Sequence, residues 1–145
     1  MRPLRGMWVK RSGGIEADGG FWLVLGLMLL LFPLRFLAGV LLAAIIHELG
    51  HIMAIRLTGG EVRCIQLRAN GARIITSPME PGKESLCSLA GPGLGAVTIL
   101  AWQVFPELAV AGLVQTVFNL LPIYPLDGGR VVRNICCKSR RFGVQ

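Results

Sequence analysis

The feature that most constrains this chain is a set of polar residues in an apolar setting: His47, Glu48 and His51 lie inside residues 36–57, a run that is otherwise almost entirely apolar. At ~1.5 Å per residue of α-helix, that run is long enough to cross a ~30 Å hydrocarbon layer. Residues four apart on a helix project from one face, so both imidazoles can reach a single cation. Glu48, one step round from His47, can then act on a water held there. In a soluble helix, a satisfied core histidine beside a solvated glutamate would be the simpler account. Inside a bilayer such groups are costly and mark function, so the His-Glu-x-x-His spacing points to a zinc site of the peptidase kind. These are the only two histidines in the chain. By the helical rise, His51 lies roughly 9 Å and His47 roughly 15 Å from the Leu57 end, well below the layer's surface.

Composition supports the membrane setting. The 145 residues allow one domain, 53% of them are apolar, and only 16% are charged. The net charge of +7 does not describe a nucleic-acid surface, because the basic residues sit in the tails and one loop rather than interleaved with aromatics. Cys64, Cys87, Cys136 and Cys137 have neither metal-type nor disulfide-framework spacing and read as free thiols on or near the reducing side.

The expected fold is an all-α polytopic membrane protein with about four transmembrane helices, three of them forming the core, and a small interfacial β-hairpin. Residues 1–20 read as a basic, flexible tail. The core, residues 21–127, contains spans at about 21–34, 36–57, 85–104 and 108–126 and a hairpin at about 61–76. Asn70-Gly71 between two short alternating runs is the hairpin signal. That hairpin is either a solvated interfacial element or a strand edge that pairs with an unwound substrate. Residues 128–145 form a basic cytoplasmic tail suited to anionic lipid or a partner. Arg35, between the first two spans, has to snorkel to the far surface. Gly50 lets another helix approach closely, and Ala90-Gly91-Pro92-Gly93 should bend or interrupt the third span while packing through its small residues.

The fourth span ends in Asn119-Leu-Leu-Pro122-Ile-Tyr-Pro125-Leu-Asp127-Gly128-Gly129-Arg130. Two prolines there prevent a regular helix and free backbone groups that need a lined cavity. Asp127 is either a solvated helix terminus or a third ligand. Catalytic zinc takes three protein ligands and a water, and the histidines supply only two, which favours ligation. Four spans place both tails and the 58–84 loop on one side, with every basic residue except Arg35 on it or at its edge. The positive-inside rule makes that side cytoplasmic. His51 and Asp127 both lie towards it.

With His-Glu-Leu-Gly-His on one span and Asn119-x-x-Pro122-x4-Asp127-Gly128 on a later one, residues 36–130 resemble the site-2 protease family of intramembrane zinc metalloproteases. The likeness is to its small bacterial branch around stage IV sporulation protein FB. The resemblance implies one Zn2+ per chain held by His47, His51 and Asp127, with Glu48 as catalytic base. Asn119, Pro122 and Gly128 would shape the site or hold substrate. It further implies hydrolysis of a peptide bond within or near a transmembrane segment, in regulated intramembrane proteolysis or sporulation-type signalling. The partners implied are a membrane-protein substrate and the lipid bilayer of the cell membrane, with a regulatory membrane protein as a further candidate and no nucleic acid. The rival reading is a non-catalytic membrane protein that keeps a zinc site as a binding or regulatory module, for which Cys64 or Cys87 approaching the metal would be the sign. One departure stands out: where many relatives read Ala-Gly-Pro-x-x-Asn, this chain has Gly95.

Overall fold

A computed structural model describes residues 14–142, with side chains described to Cys136. The elements in order are β1 (Gly14–Ala17), α1 (Gly19–Leu31), α2 (Leu34–Leu57), β2 (Val62–Arg68), β3 (Gly71–Thr76), α3 (Pro81–Val97), a 3-10 turn (Thr98–Ala101), α4 (Pro106–Asn119) and α5 (Asp127–Phe142). The fold is mostly helical, with one small sheet of order β1-β2-β3.

Local chemistry sets the boundaries. Asp18 caps α1 by accepting from the Phe21 amide at 2.8 Å. Phe32, forced to extended geometry by Pro33, ends it. At the far end of α2, Thr58 Oγ1 donates to the Ala54 carbonyl at 2.9 Å, and the Gly60 amide donates to the Ile55 carbonyl at 2.8 Å. Gly59 between them takes the left-handed conformation (φ +80°) that such a helix stop requires. The hairpin forms where Asn70-Gly71 marks it, Gly71 having φ +114°, and pairs Arg68 with Gly71 through Val62 with Thr76.

Five expectations are corrected. Residues 1–20 are not simply a flexible tail: Gly14–Ala17 add a strand parallel to β2, registering Gly14 with Cys64 and Ala17 with Leu67. The Arg2–Arg11 part of that segment lies outside the described residues, as do the side chains of Cys137, Lys138, Arg140 and Arg141. The helix of the third span runs through Gly91-Pro92-Gly93 to Val97, since Pro92 removes only the hydrogen bond to the Ser88 carbonyl. Helix α4 ends at Asn119 rather than near 126, because Pro122 and Pro125 follow. The segment after Asp127, expected as a tail, is helix α5 lying against α3. Arg35 does not have to reach solvent alone: its Nε sits 2.9 Å from Glu107 Oε1 at the start of α4.

Among the described residues, two helical segments, Leu34–Leu57 and Pro81–Ala101, are long and apolar enough to cross a membrane. Helices α1 and α4, with 13 and 14 residues, reach only about 20 Å each. Large apolar side chains point outwards, among them Leu30 (81% exposed), Leu57 (84%) and Leu100 (81%). An outer surface of this kind suits hydrocarbon and not water. The interior is narrow. Ala54, Ile55 and Cys87 form a buried cluster against which Val62, Ile74, Met79 and Ala90 pack, fastening the hairpin to α2 and α3.

Candidate metal centre

Helix α2 presents His47 and His51 on one face, their rings edge to face with centroids 4.8 Å apart. Helix α3 crosses at this level because Gly50 and Gly91 remove the side chains that would keep the backbones apart. A Cβ on Gly50 would run into the Ala90 carbonyl, and one on Gly91 would run into the His51 ring. The close approach lets His51 Nδ1 donate to the Cys87 carbonyl at 2.8 Å. In the neutral ring, that bond leaves the lone pair on Nε2, the tautomer a metal ligand needs.

Asp127 arrives from the other side as the first residue of α5, where the helix dipole favours a carboxylate. The two glycines after it make that position reachable. A Cβ on Gly128 would overlap the Leu120 carbonyl and one on Gly129 the Ile123 backbone, so the irregular 120–126 chain lies directly against the first turn of α5.

The three side chains meet. His47 Nε2 is 3.1 Å from His51 Nε2, and each is 3.2 Å from Asp127 Oδ2. His47 is 2% exposed and Asp127 7%, so water does not separate them. Imidazole lone pairs and a carboxylate oxygen converging at this distance repel one another unless a cation or proton lies between them. Ligand bonds of ~2.0–2.2 Å arranged tetrahedrally put neighbouring ligand atoms about 3.3 Å apart. The observed triangle fits that size and the N/O donor set. Among the described residues these are the three whose ligand atoms cluster this way. Cys87 contributes its carbonyl, while its sulfur lies 3.5 Å from Thr58 Oγ1.

The cluster opens on a cavity of about 850 Å³. Glu48 lines it beside the histidines, with β3 and the preceding turn forming one wall and Phe118, Asn119 and Tyr124–Leu126 another. Asn119 turns its amide back to the Gln115 carbonyl at 3.1 Å while still bordering the cavity. Pro125 lines it. Pro122 is exposed and does not, so its part is confined to the irregular chain after α4. Gly128 acts by close packing under Asp127 rather than at the cavity wall. Sequence reasoning missed the Cys87 carbonyl, which carries no side-chain signature, and the arginines Arg68, Arg73 and Arg130 that border the cavity.

Residues 82–143 match Peptidase family M50. The solved structure of the site-2 protease from Methanocaldococcus jannaschii superposes with a TM-score of 0.71 at 26% identity, covering 90% of this chain and 70% of that one. The fold of this chain is similar to that of this site-2 protease. Zinc metalloprotease MJ0392 of the same archaeon is 27% identical over 137 residues, covering 85% of this chain and 37% of that protein. Stage IV sporulation protein FB of Bacillus subtilis is 28% identical over 149 residues, covering 93% and 52%. The chain thus spans between about a third and a half of the length of these curated relatives. The departure from the site-2 protease pattern at Gly95 lies in the site's surroundings: a Cβ there would stand 2.8 Å from Thr116 Oγ1 and 3.5 Å from His47 Nδ1. That nitrogen is buried without a hydrogen-bond partner among the described residues.

Proposed function

We propose that this chain is an intramembrane zinc metalloprotease that hydrolyses a peptide bond within or near a transmembrane segment of a membrane-protein substrate. The observation that carries the reading is the triangle of His47, His51 and Asp127, three ligand atoms 3.1–3.2 Å apart on the wall of a large cavity. Zinc held there would lower the pKa of a water and polarise the scissile carbonyl. Glu48, on the same wall, takes the proton of the attacking water and returns it to the leaving amine. His51 is fixed by the Cys87 carbonyl in the tautomer that offers its Nε2. Strand β3 is an edge of the sheet and borders the cavity, so an extended segment can pair with it. A substrate helix has its carbonyls engaged internally and must unwind first, which favours helix-breaking sequences. The reading includes four membrane-associated helices with both termini cytoplasmic, in a bacterial cell membrane, and a place in regulated intramembrane proteolysis. A closed, purely structural zinc site is disfavoured, because Cys87 Sγ is engaged with Thr58 and the cluster faces a cavity.

The test is Glu48→Gln in the full chain, measuring zinc content and cleavage of co-expressed single-pass membrane proteins. Zinc retained with cleavage abolished is the expected result. Loss of zinc would make Glu48 structural, and unchanged cleavage would remove it from the mechanism.

A further inference from the structure

Beside the main cavity lies a second one of about 280 Å³, and its lining is dominated by Arg73, Arg130 and Arg133 around Tyr124. The two cavities share a wall: Arg73, Ile74, Thr76, Glu84, Tyr124 and Arg130 border both. Three guanidinium groups face one carboxylate. That carboxylate, Glu84, accepts from Arg133 Nη2 at 3.0 Å, and the Arg133 guanidinium lies 5.0 Å from the centre of the Tyr124 ring. Among the described residues no ion pair engages Arg73 or Arg130. Planar guanidinium groups with unused donors match a carboxylate in two-pronged geometry.

From this arrangement, and resting on the protease reading above, we infer that the arginine pocket binds an acidic side chain of the substrate one to three residues from the scissile bond. The spacing follows from helix and strand dimensions. Arg130 and Arg133 stand one and two turns along α5 from Asp127, a rise of about 4.5 and 9 Å. An extended peptide advances about 3.3 Å per residue, so one to three residues span that distance. Arg73 reaches the same pocket from β3, whose free edge an extended segment would join, and opposite charges facing across strands attract. A lipid headgroup would also satisfy guanidinium groups. It gives no reason for the pocket to share six residues with the cavity that holds the metal cluster, nor for one arginine to come from the sheet edge.

The experiment separates binding from hydrolysis. Zinc-loaded full chain carrying Glu48→Gln, in nanodiscs of neutral phosphatidylcholine, is titrated with fluorescent single-pass peptides containing a helix-breaking segment. One Glu is walked through the residues flanking that segment and compared with Gln and Lys at each position. At one or two adjacent positions the Glu peptide should bind about tenfold tighter than its Gln counterpart, the worth of one charge-assisted hydrogen bond. Arg73→Gln with Arg130→Gln should erase the difference, and Arg73→Glu should favour the Lys peptide. Arg73→Gln alone, on the exposed edge strand, should reduce the discrimination even where the double variant fails to fold. Equal affinity for Glu and Gln peptides at every position would overturn the inference, as would discrimination that survives the double substitution. It would also be overturned if the arginine substitutions weakened binding only to phosphatidylglycerol vesicles, which would make the pocket a lipid site. Discrimination without cleavage by the chain with Glu48 intact would refute the protease reading and leave the acidic-residue pocket standing.

Discussion

Adding one methyl group at Gly91 should disarm the metal centre without touching a ligand. A Cβ there would overlap Nε2, Cε1 and Cδ2 of His51, so the ring must retreat by about an ångström to regain ordinary van der Waals contact. It cannot do so and keep its place. The Cys87 carbonyl holds Nδ1 at 2.8 Å, and His47 Nε2 stands 3.1 Å from Nε2 on the inner side. Zinc–imidazole bonds tolerate only about 0.2 Å, so such a displacement removes one of three ligands. Losing an outer-shell partner alone typically costs about 10–100-fold in metal affinity, and Gly91→Ala should cost at least that. Gly93→Ala is the control: it lies two residues along the same helix, gains the same ~1 kcal/mol of helix propensity, and its Cβ would meet nothing within 4 Å. Zinc affinity by chelator competition, the visible spectrum of the cobalt-substituted protein and far-UV circular dichroism together form the assay. If Gly91→Ala binds zinc as tightly as Gly93→Ala, with an unchanged cobalt spectrum, His51 does not sit where this reasoning places it.

Gly95→Ala should lower thermal stability by about 1–3 kcal/mol, because its Cβ would stand 2.8 Å from the buried Thr116 hydroxyl, and Thr116→Ala in the same chain should recover most of the loss. Arg35→Gln should cost no more than about 1 kcal/mol, since the Arg35 side chain of the pair with Glu107 is 65% exposed, and a loss of several kcal/mol in thermal unfolding would refute that weak coupling. Cys64, half-buried on β2 and close to the Glu16 carboxylate, has its thiol pushed above the usual range, first by desolvation and then by that charge. A raised pKa means less thiolate at pH 8, so iodoacetamide should modify Cys64 more slowly than a free thiol at the same pH, and Glu16→Gln should speed it; an unchanged rate measured by mass spectrometry would refute the assigned cause.

What was legible in the sequence was whatever a single element encodes by its own period or a turn residue. His47 and His51 share a face because the helix repeats every 3.6 residues, and Asn70-Gly71 names its hairpin. Asp127 could be reached by counting ligands, since its neighbours supply too few. Contacts between distant elements were not legible. Strand β1 has four residues with no alternating pattern, and it exists because β2, some fifty residues on, offers an edge. Arg35 looked stranded because Glu107 is remote in sequence. The acceptor that orients His51 is a backbone carbonyl, which any residue at position 87 would provide.

The glycines join these two kinds of information. Gly50 and Gly91 were visible in the sequence as packing residues, Gly128 only as a site-shaping one and Gly129 not at all, yet each stands where another segment packs against the metal-site scaffold. The imidazoles and the carboxylate supply the chemistry. The missing side chains set the distances between α2, α3 and α5, and with them the 3.1–3.2 Å triangle. Ligand geometry in this fold is therefore controlled at positions that bear no ligand, which is why a methyl group at Gly91 should weaken the site through His51 while the same methyl at Gly93 should be silent.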